Sequence, residues 1–375
     1  MYIIMKTSTF WKSRLLWVGL LPPAVLALLL YGLKSVTWVF EYIFALGITR
    51  WLTTALTWVT NWIPVSMAEI IIYCIPVVLV LLIVYCITHS TFRHWRSLIL
   101  GLVSVVLWGI CLFELLFVIQ FGRIRLEDHL EYNTQNITAQ ELYETALIMR
   151  ERAVKASESV EYTADGYSVW KGCTGLVDSN KAILEYAYHQ RDFTELKEEF
   201  DLAIYTTRVH PKGILASQAF SYTQILGIYI PFTGEANLNT EAPPFIVAVS
   251  SAHEQAHQKG YSREDEANFL AIQTCLLDEN EYMQYSGSLY AFRFLYNALY
   301  DTDPELYFQL MEDTPEYLKT ELRYYNDWLI AHRSQAATVT EKVNNTYLEV
   351  SGGVGTISYS LVVELLIGQY RSPEV

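Results

Sequence analysis

Long, nearly unbroken apolar runs fill the first third of the chain, and shorter apolar positions at helical spacing fill the rest. The runs cover residues 15–33, 64–87 and 97–121. At about 1.5 Å of rise per residue, a helix over each run is long enough to cross a hydrocarbon core roughly 30 Å thick. The pattern therefore predicts a membrane domain with three transmembrane helices in residues 1–125, followed by a second domain in residues 126–375.

The segment between the first two runs, residues 35–63, is rich in tryptophan. Trp38, Trp51, Trp58 and Trp62 lie there among Thr, Phe and Leu. Because tryptophan is enriched at the headgroup level of membranes, we expect a helix that lies at the interface. A re-entrant or fully spanning segment is the alternative interpretation.

Apolar residues of the second domain recur at three- and four-residue intervals, which is typical of amphipathic helices. Thr138 and Glu141 form a capping-box pattern that opens one such helix, running to about Val160. Residues 192–208 have the spacing of another. The predicted fold class is therefore mainly α, with three transmembrane helices followed by an α-rich domain.

Charge separates the same two parts of the chain. The 375 residues carry a formal net charge of −14, made up of +6 in residues 1–125 and −20 in the remainder. A strongly acidic second domain argues against nucleic acid as a partner, whereas the apolar runs indicate that the lipid bilayer is one. Of the five cysteines, Cys173 and Cys275 lie outside the apolar runs. They are expected to be free thiols, with a disulfide between them as the alternative.

Basic residues in the short connections set the expected orientation. Three lie within residues 6–14 and two within residues 93–96. Lys and Arg near span ends resist translocation, so both clusters are expected in the cytoplasm. This predicts a multi-pass protein of the cell (plasma) membrane with a cytoplasmic amino terminus and an extracytoplasmic second domain. Arg123 and Arg125 are exceptions to this charge rule, because they lie on the predicted outer side.

The stretch "PPFIVAVSSAHEQAHQKG" contains two histidines four residues apart with a glutamate after the first. Its prolines and final glycine predict a single helix over residues 245–259. Since positions four apart share a helix face, His253 and His257 project together. Zinc accepts two such imidazoles, and Glu254 is placed to act as general base on a zinc-bound water. The spacing therefore predicts a catalytic Zn2+ site.

A catalytic zinc site needs a third protein ligand and one open position. Arg263 stands where the metzincin pattern requires a histidine, which excludes that class. The following stretch, "REDEANF", begins a second helix with two candidate acids, Glu264 and Glu266. For either acid the alternative is a purely electrostatic role, because carboxylates are favoured at a helix start.

These motifs resemble those of the gluzincin metallopeptidases, in which a glutamate on the helix after HExxH completes the site, often with Asp four residues later. Glu264 and Asn268 have that spacing, so the resemblance implies Glu264 as the third ligand. Asn in place of Asp brings no charge to strengthen a ligand histidine, and the separation from the histidines is shorter than in most gluzincins. The resemblance also implies a zincin-like α+β domain with a small sheet.

The longer pattern, "GIYIPFTGEANLN" followed by residues 243–269 behind the apolar runs, resembles a family of bacterial membrane proteins described as a domain of unknown function, numbered 3810. In gluzincins, an edge strand that pairs with extended substrate precedes the histidine helix, and Gly234 and Asn237 are candidates for exposing its backbone. An ordinary hairpin is the alternative. Tyr359 and His210 are candidate donors to a transition-state oxyanion, with a structural role as the alternative for each.

The sequence thus predicts a membrane-anchored zinc metallopeptidase that hydrolyses a peptide or protein substrate. His253, His257 and Glu264 are the expected metal ligands and Glu254 the catalytic base, and activity is expected to fail in mild acid because the ligands must be deprotonated. The alternative is a non-catalytic membrane receptor or scaffold that retains a zincin fold. Glu254 favours the enzyme, since a structural zinc site needs no base and is normally closed by a fourth protein ligand.

Overall fold

The computed structural model describes residues 15–33, 36–88, 92–190, 193–351 and 358–371, which are mostly helical. The helical elements of the first part are a π-helical turn Leu15–Leu20, α1 (Leu21–Leu33), a π-helical segment Val39–Thr49, α2 (Arg50–Thr60), α3 (Met67–Thr88), α4 (Phe92–Leu116) and a 3-10 turn Val118–Gly122.

The second part combines twelve further described helices with five short strands. In chain order they are α5 (Leu126–His129), α6 (Ala139–Ser157), β1 (Glu161–Tyr162), β2 (Ser168–Val169), α7 (Leu176–Gln190), α8 (Thr194–Glu199), β3 (Lys212–Gly213), α9 (Ser217–Ser221), β4 (Gly227–Ile230), β5 (Glu235–Leu238), α10 (Pro244–Gln258), α11 (Glu264–Leu276), α12 (Glu281–Thr302), α13 (Pro304–Glu312), α14 (Glu316–Ala331), α15 (Gln335–Ser351) and α16 (Ser358–Tyr370).

Two of the described helices are long and apolar enough to cross a membrane. They are α3 and the part of α4 from Leu98 to Leu116, and in each only 6% of the most apolar window is buried. Most of the exposed side chains are Val, Leu and Ile, which water would solvate poorly. The predicted third run, 97–121, extends beyond its helix, because Ile119 and Phe121 belong to the 3-10 turn and are buried.

The first predicted span is wrong as a single long helix, so the described residues support two membrane-crossing helices and not three. Residues 15–33 are divided between the π-helical turn and α1, which has 13 residues. At 1.5 Å per residue, α1 is about 20 Å long and falls short of the hydrocarbon core. The division coincides with Pro22 and Pro23, which have no N–H to continue a helical ladder from the preceding turn.

The tryptophan-rich segment forms two consecutive helical pieces with two different faces. Thr57 Oγ1 donates to the Gly234 carbonyl at 3.0 Å, and Thr60 Oγ1 donates to that of Thr233 at 3.2 Å. The tryptophans face away from this contact, each with 62–77% of its surface exposed: Trp38, Trp51, Trp58 and Trp62. The helix expected from the sequence is therefore present as two consecutive pieces, and its place at a membrane interface stays a prediction.

A three-stranded sheet with the order β3-β5-β4 lies beside α10. β5 pairs in parallel with β3 and antiparallel with β4, with Gly227 opposite Leu238 and Ile230 opposite Glu235. β4 and β5 therefore form a hairpin, and β4 is also an edge strand of its sheet, so the two interpretations of this segment are compatible.

The residues expected to expose the edge do not do so. Asn237 lies on the central strand β5 and is paired on both sides. Gly234 is at the hairpin turn with φ +67°, and a Cβ there would lie 2.7 Å from Thr57 Oγ1. Glycine at this turn therefore meets two requirements, a left-handed backbone and the close approach of α2.

Local helix signals in the second domain gave mixed results. The capping box is confirmed: Thr138 Oγ1 accepts from the Glu141 N–H at the start of α6. The helix predicted over residues 192–208 is wrong, because only α8 forms and the chain then passes through Asp201 at φ +49° into an extended segment. In that segment Leu202 and Ile204 are buried at a spacing of two, which is the period of extended chain.

Helix α10 is at the centre of the second domain. It packs against α11, α12, α7 and the sheet, and nearly every residue in it is buried. Its apolar residues belong to one continuous core that also includes α6, α11, α12 and α16. A helix held on so many sides has little freedom to move, which suits a site that must hold side chains in fixed positions.

Candidate metal centre

The helix that carries the two histidines begins and ends where the sequence indicates. Pro244 is its first residue, where the missing N–H costs no hydrogen bond. It ends before Gly260, which has φ +102°. A Cβ at this glycine would lie 3.1 Å from both Arg123 Nη1 and the Tyr205 ring, so the turn is tightly enclosed.

His253, His257 and Glu264 converge at the point where α10 meets α11. One ligand atom from each lies within 4.8 Å of the others. The Nε2 atom of His253 is 3.2 Å from one carboxylate oxygen of Glu264, and that of His257 is 3.6 Å from the other. The three predicted ligands are therefore brought together by the fold.

Each histidine is oriented through its other ring nitrogen. Nδ1 of His253 lies 3.0 Å from Asn268 Oδ1, and Nδ1 of His257 lies 2.7 Å from the Tyr261 carbonyl. Since both partners are acceptors, each Nδ1 carries a proton, and Nε2 is the nitrogen that each ring directs towards Glu264. Asn268 thus contacts a histidine as its spacing from Glu264 implied.

Glu266, the rival third ligand, is engaged elsewhere. Its Oε1 accepts from the Leu126 N–H at 2.9 Å and from Arg263 Nη1 at 2.9 Å. It is also buried, on a different face of α11 from Glu264. The structure therefore places only one of the two acids beside the histidines.

Glu254 is buried beside strand β4, with 6% of its surface exposed. The Tyr229 N–H donates to its carboxylate, and a Cβ on Gly227 would lie 2.7 Å from its Cγ. Burial, together with the charge of Glu264, raises the pKa of Glu254 to about 7, although the His253 imidazole opposes the shift. A carboxyl group with this pKa can both accept and return a proton near neutral pH.

Burial lowers the pKa of both histidines, whereas the Glu264 carboxylate raises it, and the balance differs between the two. Burial lowers the pKa of His257 to about 4, so its imidazole is neutral. Burial also acts to lower the pKa of His253, but the hydrogen bond and charge of Glu264 outweigh it and raise the pKa to about 8. The two imidazoles in turn hold the pKa of Glu264 below its ordinary value, against the effect of burial. At neutral pH this cluster retains one proton that a metal ion would displace.

Arg123 and Glu41, which the sequence does not connect with the site, stabilise the turn between the two ligand helices. Arg123 donates from Nη1 to the Gly260 carbonyl at 2.7 Å, and its guanidinium lies over the Tyr261 ring at 4.6 Å. Its Nη2 forms a buried ion pair with Glu41 Oε1 at 2.9 Å. The charge that conflicted with the orientation rule is thus neutralised inside the fold, next to the carbonyl that orients His257.

The two candidate oxyanion donors are not brought into the cluster by any described contact. The His210 ring stacks on Tyr188 with centroids 4.4 Å apart, and its backbone N–H donates to Asn61 Oδ1. These contacts favour a structural role. The side chain of Tyr359 lies outside the described residues.

The donor set has the chemistry of a catalytic zinc site. Two neutral imidazoles and one carboxylate are ligands that zinc accepts, with one position left open. Within the described ranges, the cluster contains three such groups and no fourth. These residues therefore fit a zinc ion, and Glu254 is a separate, buried acid that is close enough to His253 and Glu264 for their charges to affect its pKa.

Comparison with known proteins identifies a family but no characterised relative. A model of the family described as "Protein of unknown function (DUF3810)" matches residues 44–367, which include α3, α4, the sheet and the histidine cluster. No curated protein and no solved structure matches the chain. On the extent of the family match, the chain belongs to the DUF3810 family.

Proposed function

We propose that the protein is a zinc-dependent metallopeptidase anchored in the cell membrane by α3 and α4, with a zincin-like domain on the outer face. The observation that carries the proposal is the cluster of His253, His257 and Glu264 next to the buried Glu254. A zinc ion held by the three ligands would supply a Lewis acid that polarises the peptide carbonyl and activates water. The small sheet with an edge strand beside the histidine helix supports the zincin-like interpretation.

Glu254 would carry the proton transfers of the reaction. Its carboxylate takes a proton from the attacking water and returns it to the leaving amine, a role for which a pKa near 7 is well matched. The Tyr229 N–H holds the carboxylate in place through one hydrogen bond. A general base of this kind contributes about 10²- to 10⁴-fold to the rate.

Strand β4 offers a backbone edge on which a peptide can bind. The Leu226 carbonyl accepts from Asn239 N–H and that of Ile230 accepts from Gly234 N–H, so alternate residues of β4 face β5. Gly227 and Tyr229 therefore direct their backbone groups away from β5, on the side where Glu254 lies. Because the Tyr229 N–H is held by Glu254, an extended substrate would pair with the backbone of Gly227 and the Tyr229 carbonyl, which would bring a peptide carbonyl towards the histidine cluster.

The membrane location is supported by the exposed apolar surfaces of α3 and α4 and by the exposed tryptophans of residues 38–62. The basic residues within 6–14 lie outside the described residues, so the orientation rests on the charge rule. The start of α3 and the residue after the end of α4 both contact the second domain, through the Met67 N–H and the Phe117 carbonyl.

Zinc content and turnover in matched variants test this function. The protein is purified in mild detergent without added metal, and zinc per chain and hydrolysis of labelled casein are measured for wild type, His253→Ala, Glu254→Gln, Glu264→Ala and Glu266→Gln. We expect about one zinc in wild type, Glu254→Gln and Glu266→Gln, and a loss in the other two. Turnover in Glu254→Gln should fall at least about 100-fold.

The contrary outcomes are distinct. Undiminished turnover in Glu254→Gln would show that Glu254 is not the general base. Zinc bound through the histidines, without hydrolysis of any protein tested, would favour the receptor or scaffold. If wild type holds no zinc after exposure to micromolar zinc, the proposal of a metal site is itself wrong.

A further inference from the structure

The metal cluster lies directly against the end of a membrane-crossing helix. The His257 ring contacts the Phe117 ring, with centroids 5.6 Å apart, and Phe117 follows Leu116, the last residue of α4. Ser262 Oγ donates to the Phe117 carbonyl at 3.1 Å, and Arg263 Nη2 donates to that of Phe121 at 2.6 Å. The turn that links the ligand helices α10 and α11 is therefore docked on the end of α4.

The other apolar helix begins at the sheet. The N–H groups of Met67 and Ala68, at the start of α3, donate to the two carboxylate oxygens of Glu235 at 3.0 and 2.9 Å. Glu235 is the first residue of β5, opposite Ile230 of β4, and it also forms a buried ion pair with Lys212. Both apolar helices therefore end at elements that form the site.

These contacts fix the depth of the site relative to a bilayer. Leu98–Leu116 spans about 28 Å at 1.5 Å per residue, which is close to the thickness of the hydrocarbon core. Leu116 is therefore at the edge of the hydrocarbon core. His257 lies just outside that edge, because its ring contacts Phe117, the next residue in the chain. The exposed tryptophans, on the helix that holds the hairpin tip through Thr57 and Thr60, provide an independent marker of the headgroup level.

The substrate edge leads from the base towards the membrane. Gly227, at one end of β4, lies against Glu254. The Tyr229 ring is 5.9 Å from that of Phe117, and the ring of Phe232, which is 45% exposed, is 6.1 Å from that of Phe113 inside α4. At about 3.3 Å per residue, the three steps of β4 from Gly227 to Ile230 cover about 10 Å, and Phe232 lies in the turn directly after the strand. A peptide extended along β4 therefore reaches the hydrocarbon edge within about five residues of Glu254.

We propose that the substrates are polypeptides that are themselves anchored in the bilayer, cut on the outer side within about five residues of the anchor. This inference rests on the proposed hydrolytic function. A chain that leaves a membrane-spanning helix is already at the depth of the site, and its first extended residues can lie along β4 without leaving the membrane surface. The bulk of a free soluble protein would have to approach the headgroups to reach the same edge.

Reporter peptides that differ in their distance from an anchor test the inference. The zinc-loaded full chain is placed in phosphatidylcholine vesicles with three reporters: a mixed 30-residue sequence alone, the same sequence directly after a Leu/Ala helix of 20 residues, and the same sequence separated from that helix by 15 Gly/Ser residues. Products are identified by mass spectrometry, with the Glu254→Gln variant as background.

We expect the directly anchored reporter to be cut at least about tenfold faster than the free one, at bonds within about five residues of the helix. The spaced reporter controls for the higher local concentration that any anchor produces, and it should be cut more slowly than the directly anchored reporter. Equal rates for the free and directly anchored reporters, or equal rates for the two anchored ones, would overturn the inference and leave the hydrolytic function standing. Failure to cut any reporter would overturn both.

Discussion

Gly227 lies so close to Glu254 that a side chain at this position would displace the carboxylate. A Cβ there would lie 2.7 Å from Glu254 Cγ and 2.8 Å from its Oε1. We expect Gly227→Ala to displace the carboxylate while the three ligands stay in place, because Gly227 does not contact them. Zinc content should be unchanged, and turnover should fall about 100-fold, as a displacement of about 1 Å typically causes.

The matched control is Gly109→Ala in α4, where a Cβ meets no atom within 4 Å. That variant should keep wild-type zinc content and turnover. Wild-type turnover in Gly227→Ala would show that Glu254 tolerates displacement and would argue against its role as the base.

The cluster residues were predictable because their relations are local. His253, His257, Glu264 and Asn268 lie within 16 residues of one another, and helical periodicity alone places them on facing surfaces. The choice between Glu264 and Glu266 needed the fold, because it depends on the Leu126 N–H that occupies Glu266. No local signal could show this.

The supporting residues were not predictable for the same reason. Arg123 and Glu41 meet across 82 residues of chain, with α3 and α4 between them. Arg123 gave one indirect signal, since a positive charge on the predicted outer side conflicted with the orientation rule. Gly227 gave none, because glycine in a strand has several common explanations.

The π-helical segment that carries Glu41 and the 3-10 turn before Arg123 are joined by this ion pair. Replacing Glu41 with Gln leaves a buried guanidinium without its counter-charge, and breaking such a pair typically costs about 3–5 kcal/mol. We expect a corresponding fall in the free energy of unfolding and weaker zinc binding, because Arg123 also holds the Gly260 turn. Denaturant unfolding and chelator competition measure the two effects.

The double variant Glu41→Leu with Arg123→Met serves as the control, because an apolar pair removes both buried charges. Its stability should recover towards that of wild type, while zinc binding stays weak since the bond to the Gly260 carbonyl is lost. Unchanged zinc affinity in both variants would show that the pair does not position the ligands.

Helix α14 carries a buried acid, Glu321, whose ionisation opposes folding. Its Oε2 accepts from the Ser168 N–H at 2.6 Å, while Oε1 accepts no hydrogen bond among the described residues. Burial raises its pKa from 4.5 to about 7. Because the folded state binds the proton more tightly, the stability from this group is complete below about pH 4.5 and is lost as pH rises to about 7.

The difference corresponds to about 3 kcal/mol, at 1.36 kcal/mol per pKa unit. Glu321→Gln keeps an acceptor for Ser168 and has no charge to lose, so it should be more stable than wild type at pH 8 and nearly equal to it at pH 4.5. Unfolding by denaturant at the two pH values checks this. A variant less stable than wild type at pH 8 would contradict the assignment.

Element boundaries show where apolar spacing was sufficient. Continuous apolar runs located the ends of α3 and α4 to within five residues, and capping chemistry located the start of α6 at Thr138. The first run misled because its two prolines interrupt the α-helix. The helix over residues 192–208 misled because the segment after α8 alternates with the period of extended chain, which a few apolar residues cannot distinguish from helix.

The placement of the second domain outside the cell can be tested through Cys173. None of the five cysteines, all within the described ranges, forms a disulfide, as the sequence predicted, and Cys173 is only partly buried. We expect a membrane-impermeant maleimide to label it in intact cells at pH 8.5, a high pH being needed because burial raises the pKa of the thiol. Cys173→Ser should abolish this labelling. Labelling that requires lysed cells would place the domain in the cytoplasm.

Polar contacts across residue 125 have a practical consequence for attempts to work with the second domain alone. Composition divides the chain at that point, yet a fragment beginning at residue 126 would leave Glu235 without the Met67 and Ala68 N–H groups, and Arg263 without the carbonyls of Phe121 and Arg123. Each is a buried ionic group that would lose hydrogen bonds. Excision at this boundary is therefore expected to yield an unstable fragment, and measurements of zinc binding or turnover require the intact chain in detergent or lipid.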